Sequence, residues 1–345
     1  MTKLRLNFAA SDYDHFRDLV DGTVSVEGVD LNCLRLSIEE TFARFVSFQE
    51  WEVSEMSFGK FVSFISQDNG KVIGLPVFPS RVFRQSSIYV REDSPLKGPE
   101  DLAGKKIGIP EWAQTAAIYT RGWLVDQIGI PLTDIEWFQS GVNQAGREEK
   151  VKLKLPKGVK LTPVTDKSLT EMLLNGDIDA AATAHAPQPF EDGDPSIKRL
   201  IPNYRDVEEA FFKETNIFPI MHLIAIRRDI YEANPWVAMN LYKAFIKAKD
   251  NSVRRSLEIT ATRYPFAWCY DSAEKTKEIF GEDSFPYGLE PNRPTLEAFL
   301  KYAYDQGICH RKVTPEELFP PEISKVFKVC RFSCDRLLLL SLELR

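Results

Sequence analysis

In "KLRLNFAA" (3–10) polar and apolar residues alternate before the segment turns apolar and stops at Ser11-Asp12-Tyr13, which predicts a strand running into a helix start. The rhythm returns twice. "VEGVDLNCLRLS" (26–37) reads as a strand followed by "IEETFARFVSFQ" with apolar residues at helical spacing. "WEVSEMSFGKFVSFI" (51–65) reads as a short strand, a polar turn and an amphipathic helix, and "KVIGLPVFPS" and "QSSIYVRE" add two more strands. Strands that alternate with helices predict parallel βαβ units.

From Asp93 the punctuation changes. "SPLKGPEDLAGKKIGIP" (94–110) gives a Pro/Gly-rich entry, a short helical turn and a strand, and "WAQTAAIYTRGWLVDQIGI" (112–130) a helix of several turns. "DIEWFQSG" and "VKLTPV" are strand candidates, and "SLTEMLLNGDIDAAATAH" (168–185) predicts a helix that stops at Gly176 and leads into a strand. "NIFPIMHLIAIRRDIYEANP" (216–235) supplies a long apolar strand able to return to the first part of the chain, and the last third is mainly helical. We therefore expect an α/β protein of two lobes, 1–90 with 220–329 and 91–219, joined by crossovers near 88–93 and 217–226, with mixed sheets flanked by helices and a ligand cleft between the lobes. The stretch 330–345, "CRFSCDRLLLLSLELR", differs in composition from the rest: it is either a terminal helix or a tail unrelated to the fold, and we assign it no function.

Composition narrows the function. At 345 residues the chain exceeds what one core usually serves, and 43% hydrophobic with 27% charged residues is a globular balance. A net charge of −6 with both signs interspersed offers no footprint for nucleic acid. The start, "MTKLRLNFAASDYDHF", has no apolar secretion-signal core, and five cysteines without a CxxC pair suit free thiols, so a cytoplasmic location is expected. The apolar run "LLLLSL" falls far short of the roughly 20 residues of a membrane span. Neither GxGxxG nor GxxxxGK[ST] occurs, nor HExxH or HxH, which argues against dinucleotide, ATP and zinc chemistry. Whether the chain forms a homo-oligomer stays open.

Two patterns, "EDLAGKKIGIP" (100–110) and "MLLNGDIDAAAT" (172–183), resemble the type II periplasmic-binding-protein fold. A more specific set, in order through the first 329 residues, is "ASDYDHFRDLVDGTVSVEGVDL" (10–31), "EVSEMSFGKFV" (52–62), "PVFPSRVFRQSSIYV" (76–90), "GREEKVKLKLP" (146–156), "FPIMHLIAIRRDIYEANPWVA" (218–238), "YGLEPNRPTLEAFLKYAYDQGI" (287–308) and "TPEELF" (314–319). Together these blocks resemble the 4,5-dihydroxyphthalate decarboxylase family. The resemblance implies a cytoplasmic carboxy-lyase of phthalate degradation that converts a dihydroxylated aromatic dicarboxylate into protocatechuate and carbon dioxide. The alternatives are a non-catalytic small-anion binding protein of the same fold and a decarboxylase of another hydroxylated aromatic acid.

That reaction sets requirements. A substrate with two adjacent carboxylates needs fixed cations, and arginine's fork suits a carboxylate, so Arg81 and Arg84 in "FPSRVFRQSSIYV" are expected anchors. A proton must reach the ring carbon that loses carbon dioxide, and of four histidines His222 in "FPIMHLIAI" and His185 in "ATAHAPQPF" should face the cleft from its two sides. At the position of His185 the resemblance implies an arginine more often. His15 and His310 read as surface positions. Glu111, Gln114 and Thr115 open a helix whose free N–H groups attract anions, Glu111 being the acid among them. Asp12, Tyr13, Glu55 and Ser57 end strands, where such folds bind ligands, and Ser57 is also the expected cap of the helix that follows. Arg147 reads as a structural ion-pair partner. No cofactor is expected; a divalent cation on the catechol oxygens is the minority alternative.

Overall fold

A computed structural model describes residues 2–324; the stretch 330–345, with Cys330 and Cys334, and the end of the expected first lobe lie outside the described residues. Among the described residues eleven strands form two sheets: β1 (Leu4–Ala10), β2 (Val29–Arg35), β3 (Val53–Ser57), β4 (Val72–Leu75), β5 (Ile88–Arg91), β6 (Lys106–Ile109), β7 (Glu136–Gln139), β8 (Lys160–Pro163), β9 (Ala180–Ala182), β10 (Ile197–Arg199) and β11 (His222–Arg227). The first sheet runs β2-β1-β3-β11-β4 and the second β10-β5-β9-β6-β7-β8. β1 lies parallel to β2 and β3, whereas β11 is antiparallel to both β3 and β4. In the second sheet β6, β7, β8 and β9 are parallel, and β5 and β10 run against their neighbours. Both sheets are mixed, and the two returning segments are what makes them so.

Local chemistry explains the elements. The apolar end of β1 is buried because β1 is flanked on both sides, and Phe8 packs edge-on to Phe16 and Phe245, which seats the helix Trp236–Ser256 on the sheet. Ser168 and Glu171 form a capping box for the helix Leu169–Asn175, and Gly176 at φ 76° stops it, a conformation that a side chain would strain. Three expectations change. β3 passes directly into the helix Phe58–Ser66 without a polar turn; β11 begins only at His222; and the second sheet already starts with β5 at Ile88, inside the segment assigned to the first lobe.

The lobes also touch away from the cleft. The helix Thr115–Trp123 packs along the helix Arg293–Asp305, with Trp112 Nε1 donating to Gln306 O at 2.8 Å and Arg121 Nε to Gln306 Oε1 at 2.8 Å. Gly59 makes the approach of the two helix starts feasible, since a Cβ there would lie 2.7 Å from Ala113 O. Among the described residues no helix is long and apolar enough to cross a membrane.

Candidate active site

The site begins where β3 ends beside the start of β11, with Ser57 opposite His222. Two residues back along β3, Glu55 is fully buried, an expensive place for a carboxylate unless every oxygen is matched. It is matched. Oε1 receives the Tyr13 hydroxyl at 2.6 Å and lies 2.7 Å from His222 Nδ1, while Oε2 receives the Ser11 N–H at 2.9 Å. Burial alone would raise the Glu55 carboxyl, but the His222 hydrogen bond and charge, then Ser11 and Tyr13, outweigh it and hold the group below its ordinary value. Burial, followed by the Glu55 charge, pushes the Tyr13 phenol up, so it acts as a donor. With Nδ1 occupied by Glu55, His222 has Nε2 left for a ligand, and Phe42 stands against the ring at 4.9 Å.

His222 lines a cavity of about 340 Å³ between the lobes. Ile38, Phe42, Val82, Ala116, Ala184 and Met221 give it apolar walls suited to a flat ring. Its charges sit at the junction of the two helix starts. Glu111, only 1% exposed at its side chain, lies 3.2 Å from Lys60 Nζ and accepts from Arg147 Nε at 2.7 Å. Desolvation pulls the Lys60 ammonium below its ordinary value; the Glu111 charge works against this and neighbouring Lys150 with it. Thr115 Oγ1 accepts the Gly59 N–H at 3.0 Å and lies 3.1 Å from Ser57 Oγ, so this hydroxyl ties the second lobe to the first at the base of the cavity. Arg84 lines the same cavity, its Nε 3.2 Å from Met221 Sδ, and no carboxylate among the described residues lies within ion-pair distance of it. Lys60, Arg84 and Arg147 against Glu111 and, at the mouth, Glu39 leave the cavity lining with a surplus of one positive charge.

Of the residues singled out from sequence, the structure brings His222, Glu111, Arg84, Ser57, Gln114, Thr115 and His185 to this cavity, with Glu55 and Tyr13 directly behind His222. Arg81 is not there. Its guanidinium is turned inward onto Phe218 O at 3.0 Å, Pro286 O at 2.8 Å and Asn292 Oδ1, among the rings of Phe78, Phe218 and Phe285. Asp12 points to solvent beside Arg35 at 3.6 Å, its side chain 74% exposed. His185 stands at the mouth, 3.3 Å from Glu39 of the facing lobe. Ser57 makes no side-chain cap; its hydroxyl goes to Thr115 instead. His15, expected at the surface, packs inward on Tyr13 and Phe16, and burial lowers its pKa to about 4. His310 Nε2 lies 2.9 Å from Lys152 O, away from the cavity. Sequence reasoning missed Lys60; the one signal for it is a lysine placed in the first turn of an apolar helix, where the dipole disfavours a cation. Arg147 is an ion-pair partner, as expected, and also a wall of the site. Among the described residues no group of three or more His, Cys, Asp or Glu is placed to hold a metal ion.

No protein-family model matches the chain. Curated relatives do. A 4,5-dihydroxyphthalate decarboxylase of Comamonas testosteroni is 33% identical over 330 residues, covering 95% of this chain and 100% of the relative. A protein of the same name from Pseudomonas putida is 37% identical over 212 residues, covering 61% of this chain and 81% of the relative. Solved structures similar in fold include the sulfonate-binding protein SsuA of Methylobacillus flagellatus, with a TM-score of 0.56 at 12% identity over 100% of this chain and 96% of that one. The aliphatic sulphonate binding protein SsuA of Escherichia coli gives a TM-score of 0.52 at 12% identity over 93% and 92%. The two mixed sheets around a cleft are thus a periplasmic-binding-protein-like architecture, and identity along nearly the whole length makes the chain a member of the 4,5-dihydroxyphthalate decarboxylase family, a family of carboxy-lyases.

Proposed function

We propose that the cleft decarboxylates 4,5-dihydroxyphthalate to protocatechuate and carbon dioxide, a step of aromatic catabolism in the cytoplasm that needs no cofactor. The observation that carries this reading is His222, oriented by the buried Glu55, facing a cavity in which Lys60, Arg84 and Arg147 outnumber Glu111 and Glu39, which suits an anionic ring. Each carboxylate of that substrate has a hydroxyl para to it. A proton from His222 Nε2 to the ring carbon bearing one carboxylate gives a dienone-like intermediate whose positive charge the para-hydroxyl oxygen shares. The C–CO2 bond then breaks, its electron pair restores the aromatic ring and neutralises that charge, and carbon dioxide leaves. In sum, a dianion and one proton become a monoanion and carbon dioxide.

The residues divide the work. Glu55 holds the imidazole in one orientation with Nε2 toward the cavity, as a carboxylate behind a histidine does in other acid–base pairs. Arg84, Arg147 and Lys60 hold the dianion, and Ile38, Phe42 and Met221 exclude water around the carbon that reacts. Glu111 keeps Lys60 and Arg147 in place. Incubation of the purified protein with 4,5-dihydroxyphthalate, with and without a chelator, tests the reading: protocatechuate and carbon dioxide should form in equal amounts in both cases. Binding without turnover would make the protein a small-anion binding protein, and turnover lost on chelation would bring a metal into the mechanism.

A further inference from the structure

The Lys60 ammonium is an unexpected charge for its place in the fold. Its residue is 7% exposed, it occupies the first turn of the helix Phe58–Ser66, and Arg147 and Lys150 stand near it. A helix N-terminus, burial and two like charges all oppose a cation there. The one carboxylate among the described residues within ion-pair distance of Lys60, Glu111, is shared with Arg147. Glu111 Oε2 stands 3.2 Å from Nζ but makes no hydrogen bond, so the charges attract while the ammonium's N–H donors stay free for another acceptor. The helix Thr115–Trp123 begins at the same place. Its first amides have no carbonyl one turn back, no side chain caps it, and both Thr115 and Ala116 line the cavity. This corner is short of one anion.

Which anion follows from the reaction, so the inference rests on the function proposed above. A carboxylate that becomes carbon dioxide loses its charge in the transition state, and a cation clamped on it would hold back that loss. A carboxylate that stays keeps its charge throughout and can be bound tightly without cost to the chemistry. We propose that Lys60 and the uncapped start of the Thr115–Trp123 helix form the subsite for the carboxylate that remains on the ring, which leaves the departing carboxylate to the apolar wall beside His222 and Phe42. The product keeps that carboxylate and therefore keeps the same contact.

Calorimetric titration with stable ligands tests this apart from turnover. The wild-type protein should bind protocatechuate more tightly than catechol, which has no carboxylate. Lys60→Met should remove most of that preference, a loss of about tenfold or more in protocatechuate affinity, the scale of one charge-assisted hydrogen bond. Lys60→Arg, which keeps the charge and leaves Glu111 paired, should retain much of it and controls for misfolding of the methionine variant. The assignment is overturned if the wild type shows no preference, if Lys60→Met keeps the wild-type preference, or if Lys60→Met weakens phthalate but not protocatechuate, which would place Lys60 on the departing group. Lys60-dependent binding by a protein that never releases carbon dioxide would leave the subsite standing and remove the decarboxylase reading.

Discussion

Replacing Arg81 by alanine separates a structural arginine from a substrate-binding one three residues away. The guanidinium is buried, donates to Phe218 O at 3.0 Å, Pro286 O at 2.8 Å and Asn292 Oδ1, and lies 5.0–5.6 Å from three phenylalanine ring centres. Burial lowers its pKa to about 10, so it stays charged at neutral pH. Its removal leaves the Phe218 carbonyl and the Asn292 amide oxygen short of their donor, while the Pro286 carbonyl keeps Asn292 Nδ2 at 3.0 Å. Each hydrogen bond to a charged group contributes about 1.5–3 kcal/mol, and such terms do not add fully. A buried acceptor left unpaired costs about 1–3 kcal/mol. Against a native stability of about 5–15 kcal/mol, two such acceptors are a sizeable fraction of the whole. Urea unfolding followed by the fluorescence of the buried Trp51, Trp112 and Trp137 should show a large fall in midpoint for Arg81→Ala, while folded enzyme keeps its KM. A wild-type midpoint together with a raised KM would show that the guanidinium reaches substrate and would refute this placement.

Arg84→Ala should do the reverse: a urea midpoint close to wild type and a KM raised about tenfold or more, with kcat less affected, read from initial rates. Glu55→Gln should lower kcat by about 10²-fold or more, because an amide, which donates as well as accepts, no longer fixes the His222 ring and its tautomer. The same variant has a stability signature. The Glu55 carboxyl lies below its ordinary value of 4.5 in the folded protein, so its contribution is complete above that pH and is lost as pH falls through the folded value. Unfolding midpoints measured down the acid range should therefore show Glu55→Gln less stable than wild type at neutral pH, with the gap closing below about pH 4.3; a gap that widens would contradict the sign.

The lobes were legible where local patterning decides them. Alternating and apolar runs mark β1, β2 and β11, and the Ser168 cap and Gly176 stop bracket one helix with local signals alone. The site was less so because its contacts are remote in sequence. His222 could be singled out from the family block around it, but its partnership with Glu55 depends on β3 and β11 lying antiparallel, 167 residues apart. Arg81 and Arg84 follow the same apolar run and look alike locally. What separates them is the bridge between Arg81 and Ile220 and the carbonyls of Phe218 and Pro286, which turn one guanidinium inward. Lys60, inside "FGKFVSFIS", reads as the polar face of an amphipathic helix; only the other lobe, which meets Gly59 beside it and brings Glu111 to Lys60, makes it part of the site. The expected cap at Ser57 and the expected ligand at Asp12 miss for a related reason. The partner that takes the Ser57 hydroxyl, Thr115, comes from another lobe, and the one that draws Asp12 outward, Arg35, from another strand.

The measurement that bears most directly on the whole account is turnover of 4,5-dihydroxyphthalate by the wild-type protein and by His222→Gln, with protocatechuate and carbon dioxide both quantified. The account predicts equal release of the two products by the wild type, and a kcat lowered by about 10²-fold or more in the variant with KM little changed. A His222→Gln enzyme that turns over at the wild-type rate would contradict it.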